Sequence, residues 1–369
     1  MKKILLIDDE ITFRDTMGTL LRHHGFEVMD AEDGLTGVKI ARSTKPDLVI
    51  SDIVMKPVDG FMTLSILRQQ PDTARIPFVL VTGQQGVEDA RKGMVLGADD
   101  YITKPFQPGD LLDTVNNLLE RRNQALAAAA DQVARLKNLL YSPLPDHLTD
   151  TLSSISGSAA QIAGSEMAEE EPGIKQLGSH VFSTALKLKR DIRHALLLSQ
   201  LEVIATSPDA TDVLRQSEAC QVTDAIETVS QNLAAQHSRE QDLQLQLDPG
   251  IAALSSMTLS KILEEVIANA FQFSPANTPI CVQSVPSDKS VVITIENRTV
   301  NREPRTVGDL NETALLQRAS DSEIGSGLGL MLTRRLIETH GGKFNLVQRN
   351  NLATAHIQLP APFMDVWQN

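Results

Sequence analysis

The chain has 369 residues, enough for two or three domains of ordinary size, and 41% of it is hydrophobic, as in a protein that folds around buried cores. Its formal net charge of -13 argues against a nucleic-acid partner, because binding to a phosphate backbone rests on clustered Lys and Arg. Two cysteines, Cys220 and Cys281, show no spacing that could hold zinc, and no apolar run approaches a membrane span, so a reducing, cytoplasmic setting without membrane insertion is expected.

The N-terminus MKKILLIDDE turns acidic after four apolar positions, too soon for a signal-peptide core. Up to about residue 120, short apolar runs alternate with helical patterns: KKILLID, FEVMDA, DLVIS, FVLVTG and DYITKP. Such runs predict an α/β fold with an open, five-stranded parallel sheet and helices on both faces, whose ligands bind at the carboxyl ends of the strands. Asp8 and Asp9 end the first run, Asp52 the third, Thr82 the fourth and Lys104 the fifth. Crowded carboxylates repel unless a cation holds them, and hard oxygen ligands select Mg2+. That ion would orient a phosphoryl group toward Asp52, while Lys104 and Thr82 contact phosphoryl oxygens. Lys104-Pro105 is a candidate for the cis isomer in a tight loop.

The pieces IDDE, SDIVMKPVDG, VTG and GADDYITKPF resemble the response-regulator receiver domain over Met1 to about Arg121. The resemblance implies that Asp52 is the phosphoacceptor, that Asp8, Asp9 and the backbone of Val54 join it in binding Mg2+, and that Thr82 and Tyr101 form the conformational switch. Lys56-Pro57 departs from the family, where proline directly follows the methionine.

Beyond Lys104 apolar residues fall at Leu112, Val115, Leu119, Leu126, Ala129, Val133, Leu136 and Leu140, with Arg122 in the one polar slot. Steps of three and four make an a/d heptad, and RRNQALAAAADQVARLKNLL has no Gly or Pro, so the last receiver helix is expected to continue unbroken as a parallel coiled coil. Pro143 and Pro145 interrupt the pattern, which resumes from Leu148 to Ile162; the acidic stretch 164–173 reads as a loop, and a second helix runs from about Ile174 to Ala205. Two such hairpins make a four-helix bundle in a homodimer.

Residues 213–360 mix helices and strands without βαβ alternation, an α/β sandwich. In GSGLGLMLTRRLIETHGGKF, Gly325, Gly327 and Gly329 allow close approach of a phosphate chain to a helix N-terminus. In LEEVIANAFQFSP, Glu265 and Asn269 share a helix face, Asn269 as a Mg2+ ligand and Glu265 as a group that orients or activates. These stretches resemble the ATP-binding domain of histidine kinases and their gyrase, chaperone and mismatch-repair relatives, and residues 123–205 resemble the dimerisation and phosphotransfer hairpin. The resemblance implies domains at 1–121, 122–206 and 207–369, and Mg-ATP as ligand.

Some positions depart from that family. VVITIENRTVN puts Asn297 where the adenine-binding aspartate stands, with Thr299 and Asn301 in place of two glycines; Gln272 replaces a lysine, and the lid before Gly325 lacks a phenylalanine. The pattern Ile155-x-Gly157-x-Ala159 sets the register of the family's His-Glu-Leu-Arg-Thr-Pro-Leu motif, which places Asp146 on the acceptor histidine and His147 on the acidic residue. His147 acts as acceptor only if the Pro143 and Pro145 kink turns it by one residue; His180 and His194 read as surface or packing residues. Two functions follow. One is a receiver-controlled histidine kinase that exchanges phosphoryl groups with an upstream kinase or phosphotransfer protein and a downstream response regulator. The other is a pseudokinase or phosphatase-like scaffold that docks such partners.

Overall fold

The computed structural model describes residues 1–70, 72–83, 86–141, 146–165, 172–215, 218–299, 305–306, 327–349 and 351–362, and of 86–90, 141, 146–147, 172 and 305–306 the backbone alone. It divides into two compact units, Met1–Ala127 and Ala128–Asn369.

In the first unit, strands β1 (Lys3–Ile7), β2 (Glu27–Ala31), β3 (Leu48–Asp52), β4 (Phe78–Thr82) and β5 (Asp100–Thr103) alternate with helices α1 (Ile11–His23), α2 (Gly34–Thr44), α3 (Gly60–Arg68) and α4 (Gly86–Val95). The sheet order is β2-β1-β3-β4-β5, and every pairing is parallel. All residues of β3 and β4 are buried, as expected for central strands covered on both faces. One core gathers Leu5, Ile7, Val49 and Leu80; the other gathers Ile4, Leu6, Ile50 and Val81. Asp33 and Asp59 cap α2 and α3 by accepting from Thr36 N and Met62 N.

Helix α5 runs from Pro108 to Tyr141 without a break, as its composition predicts. Its apolar stripe packs within the chain. Leu111, Val115, Leu118 and Leu119 belong to a core of the first unit, and Ala129, Val133 and Leu136 to the core of the second. The heptads locate the apolar face correctly but not what covers it.

The second unit continues with α6 (Asp146–Ala163), α7 (Pro172–Thr206) and α8 (Pro208–Arg215). Gly178 lets α6 and α7 approach closely, since a Cβ there would lie 2.9 Å from the Ala159 carbonyl and from Ala163. After them come β6 (Cys220–Gln221), α9 (Val222–Gln236), β7 (Leu243–Leu247), β8 (Ile251–Ala252), α10 (Ser256–Phe273), β9 (Ile280–Ser287), β10 (Ser290–Arg298), β11 (Arg305–Thr306), α11 (Leu328–Thr339), β12 (Lys343–Arg349) and β13 (Leu352–Pro360). The larger sheet has the order β11-β12-β13-β10-β9-β7, antiparallel except for β7 against β9. Burial alternates along β10, the sign of a sheet with one covered face. α9, α10 and α11 share that core with the sheet, and so do Leu197, Leu201 and Ile204 of α7. The C-terminal half of the hairpin is therefore built into the sandwich. Among the described residues no helix is long and apolar enough to cross a membrane.

Candidate functional site

Strand ends of the first unit bring the predicted rim residues together. Lys104 Nζ stands 2.8 Å from Asp52 Oδ1 and 2.9 Å from Asp8 Oδ2, so one ammonium bridges two carboxylates. Val54 N donates to the second Asp52 oxygen at 2.8 Å, and Glu10 N donates to Asp8 at 2.8 Å. Lys104 also lies 4.0 Å over the Phe13 ring, and Lys104-Pro105 is cis, as expected; Lys56-Pro57 is cis as well. Gly60 is required here, because any Cβ would collide with the Asp52 carbonyl. Asp8 and Asp52 are 1% and 8% exposed, Thr82 is buried, and Asp9 is exposed. Tyr101 faces outward at 43% exposure. Among the described residues no three acidic, His or Cys side chains form a ready metal cluster.

The charges of this rim do not balance. Burial pushes the Asp52 carboxyl above the usual carboxylate range; Lys104 opposes this, and repulsion from Asp8 adds to it. Burial also works against the Lys104 ammonium, but its hydrogen bonds to Asp52 and Asp8 outweigh that and raise it. Two converging carboxylates with one counter-charge suit a hard divalent cation, so the chemistry of Asp8 and Asp52 fits Mg2+.

In the second unit, Asn297 is buried near the end of β10. Its amide donates to the Arg298 carbonyl at 3.1 Å, and its Oδ1 has no hydrogen-bond partner among the described residues. Thr299, in a glycine position of the resembled family, is tied down: its N donates to the Asn351 carbonyl at 2.7 Å, and its hydroxyl accepts from Gln348 at 2.9 Å. Gly327 has φ 70°, a left-handed conformation that favours glycine, and no side chain caps α11 there. The first-turn amides of α11 and the positive end of its dipole suit a phosphate group. Asn269 is half-buried one turn after Glu265 on α10. These donors fit Mg-ATP. Gly325, Asn301 and the stretch between them, apart from the backbone of Arg305–Thr306, lie outside the described residues, as do Pro143, Pro145 and the side chains of Asp146 and His147.

Glu265 does not stand as a free base. Burial would raise its carboxyl, but His194 and Lys261 together bring it down to about 2. A proton acceptor works best with a pKa near the operating pH, so this carboxylate acts as an anchor in the observed arrangement. Sequence reasoning missed both partners. Lys261, four residues before Glu265, was legible as a helix ion pair; His194 carries no local signal.

A doubly wound receiver-type domain thus shares its chain with a helical hairpin and a nucleotide-type α/β sandwich. Residues 4–116 match the family model described as response regulator receiver domain, and residues 255–362 the one described as histidine kinase-, DNA gyrase B-, and HSP90-like ATPase. The chain is 40% identical over 119 residues to Protein PilH of Pseudomonas aeruginosa, covering 32% of this chain and 98% of PilH. It is 37% identical over 129 residues to the DNA-binding dual master transcriptional regulator RpaA of Synechocystis sp., 35% of this chain and 54% of that relative, and so spans about half of RpaA. The probable transcriptional regulator ycf27 of Cyanophora paradoxa is 31% identical over 224 residues, 56% of this chain and 91% of ycf27. The chain belongs to the response-regulator receiver family and carries a histidine kinase-like ATPase domain, a combination that belongs to two-component signalling.

Proposed function

We propose that the chain is a cytoplasmic phosphorelay protein in which Asp52 accepts a phosphoryl group and thereby controls a Mg-ATP-binding module. The observation that carries this reading is the single Lys104 ammonium shared by Asp8 and Asp52 at 2.9 and 2.8 Å. An Asp52 oxygen attacks the phosphorus of the donor's phosphohistidine; the P–O bond of an acyl phosphate forms as the P–N bond breaks and the donor's imidazole leaves, while Lys104 meets one phosphoryl oxygen and Thr82 donates to another, with Tyr101 turning inward behind it. Asp8, Asp9, Asp52 and the Val54 carbonyl would hold Mg2+, which would supply the charge screening that lets an anion approach an anion.

The functional division is receiver 1–121, signalling helix and hairpin 122–206, and ATP-binding domain 207–369, in which Asn269, Asn297, Gly325, Gly327 and Gly329 hold Mg-ATP. Unbroken α5 carries the signal, and its stripe serves the chain's own cores. The homodimer forms instead through the hairpin, whose Ile155, Ile162, Leu177, Leu186 and Leu188 are exposed. An upstream histidine kinase or phosphotransfer protein supplies the phosphoryl group, and a downstream response regulator receives the output. DNA binding by RpaA is not carried over to this chain of net charge -13.

Incubation with a small phosphodonor and Mg2+ tests the core of this reading. Intact mass should rise by one phosphoryl group in the wild type and stay unchanged in Asp52→Ala; label retained in Asp52→Ala refutes Asp52 as acceptor.

A further inference from the structure

The second unit contains a charged cluster where three helices meet. His194 of α7 is 2% exposed, and its Nε2 lies 2.9 Å from Glu265 Oε1 on α10. Lys261, one turn earlier on α10, reaches the same oxygen at 2.6 Å. The other carboxylate oxygen lies against α11: a Cβ built on Gly329 would stand 2.5 Å from Glu265 Oε2 and 3.6 Å from His194 Cε1. One carboxylate therefore joins the helix that carries Asn269, the glycine-motif helix and the second helix of the hairpin.

His194 is fixed in place. Leu197, Leu201 and Ile204, on the following turns of α7, lie in the same core as Ile262, Val266, Leu332 and Leu336. Its Nδ1 is buried with no hydrogen-bond partner among the described residues, so the carboxylate is the ring's only polar contact there. A buried polar atom without a partner is costly, and its retention calls for an explanation beyond packing. So deeply buried a ring also offers no surface on which a partner's aspartate could collect a phosphoryl group.

We propose that His194 is a positioning residue of the nucleotide site: from the hairpin helix it holds Glu265 against Gly329 and so sets the spacing between Asn269 and the α11 N-terminus that receives the triphosphate. This rests on the reading that the C-terminal module binds Mg-ATP. Held at Gly329, the carboxylate already lies beside the first turn of α11, and without its two donor partners it is free to move from there onto the amides that a phosphate would need. His194 and Lys261 prevent that, and they make a hairpin helix part of the wall of the site.

Calorimetric titration of the full chain with Mg-ATP tests the proposal. His194→Leu keeps the volume without the donor, and His194→Gln keeps an N–H that reaches Glu265. His194→Leu should bind roughly 10- to 100-fold more weakly, the range for a lost hydrogen bond to a buried charge, and His194→Gln should stay within about threefold of wild type. In a Glu265→Gln background the penalty of His194→Leu should largely vanish. Should His194→Leu fail to fold, His194→Asn, whose amide is too short to reach, replaces it. Wild-type affinity in His194→Leu, equal loss in both variants, or a penalty undiminished by Glu265→Gln overturns the positioning role alone. No binding by the wild type overturns the Mg-ATP reading and this inference with it.

Discussion

Each unit holds a buried ionic cluster at its candidate site, and these two are built with opposite balance. The receiver sets two carboxylates, Asp8 and Asp52, against one ammonium, Lys104, and the Asp52 carboxyl moves up. The sandwich sets one carboxylate, Glu265, against Lys261 and His194, and that carboxyl moves down to about 2. Both carboxylates suffer burial, so burial alone does not decide the sign; the ratio of partners does. An excess of carboxylate invites a cation, which is what a Mg2+-assisted phosphoacceptor needs. An excess of hydrogen-bonding partners holds a carboxylate still, which is what a site for a triphosphate needs.

The largest effects should come from breaking each cluster at its centre. Asp52→Ala should abolish phosphorylation by a small phosphodonor, and Lys104→Ala should slow it at least tenfold, because a charge-assisted contact to the phosphoryl group is lost; intact-mass time courses read both. In the sandwich, Gly329→Ala places a Cβ 2.5 Å from Glu265 Oε2 and must shift α11 or the carboxylate. Mg-ATP affinity should fall roughly tenfold or more, the size of one lost charged hydrogen bond, and calorimetry showing no change would mean that this close approach plays no part in binding.

The pH dependence separates the clusters by sign. Glu265 has a folded value of about 2 against an ordinary 4.5, so its stabilisation is present above pH 4.5 and lost as pH falls toward 2. The shift corresponds to about 3 kcal/mol. Asp52 runs the other way without Mg2+: its folded value is raised, so its favourable contribution is present at low pH and lost as pH rises through that value. Hydrogen exchange resolves the two units separately. Amides of α10 should lose protection on acidification in wild type but less so in Glu265→Gln, whereas β3 and β4 should gain protection from Mg2+ at neutral pH, about 1.4 kcal/mol at tenfold excess over the dissociation constant.

Only one of these clusters was legible in the sequence. The receiver's charged residues end apolar runs, and a parallel sheet delivers strand ends to one rim, so a local pattern sufficed to find Asp8, Asp52, Thr82 and Lys104. His194 and Glu265 are 71 residues apart on different helices, and nothing in either helix announces the other. The α5 heptads show a related limit. Periodicity shows which face of a helix is apolar, but Val115 and Val133 are covered by the chain's own cores, and a second helix would have given the same pattern. Thr299 shows the limit of motif comparison: it stands in a glycine position, yet its side chain is held by Gln348, a partner known only once β12 is in place.

The smallest effect serves as the control for the comparison. Arg135 and Asp131 of α5 form an ion pair at 2.6 Å, as short as Lys261 to Glu265, but their side chains are 68% and 60% exposed. Water screens both charges whether or not they touch, and holding two long side chains together costs rotamer freedom. Asp131→Asn should therefore change stability by less than about 0.5 kcal/mol. It should also leave Mg-ATP affinity and Asp52 phosphorylation unchanged, as thermal unfolding, calorimetry and intact mass will read. A larger effect would mean that contact geometry governs these clusters; the predicted silence leaves burial and partner ratio as the quantities that set Asp52 and Glu265 apart.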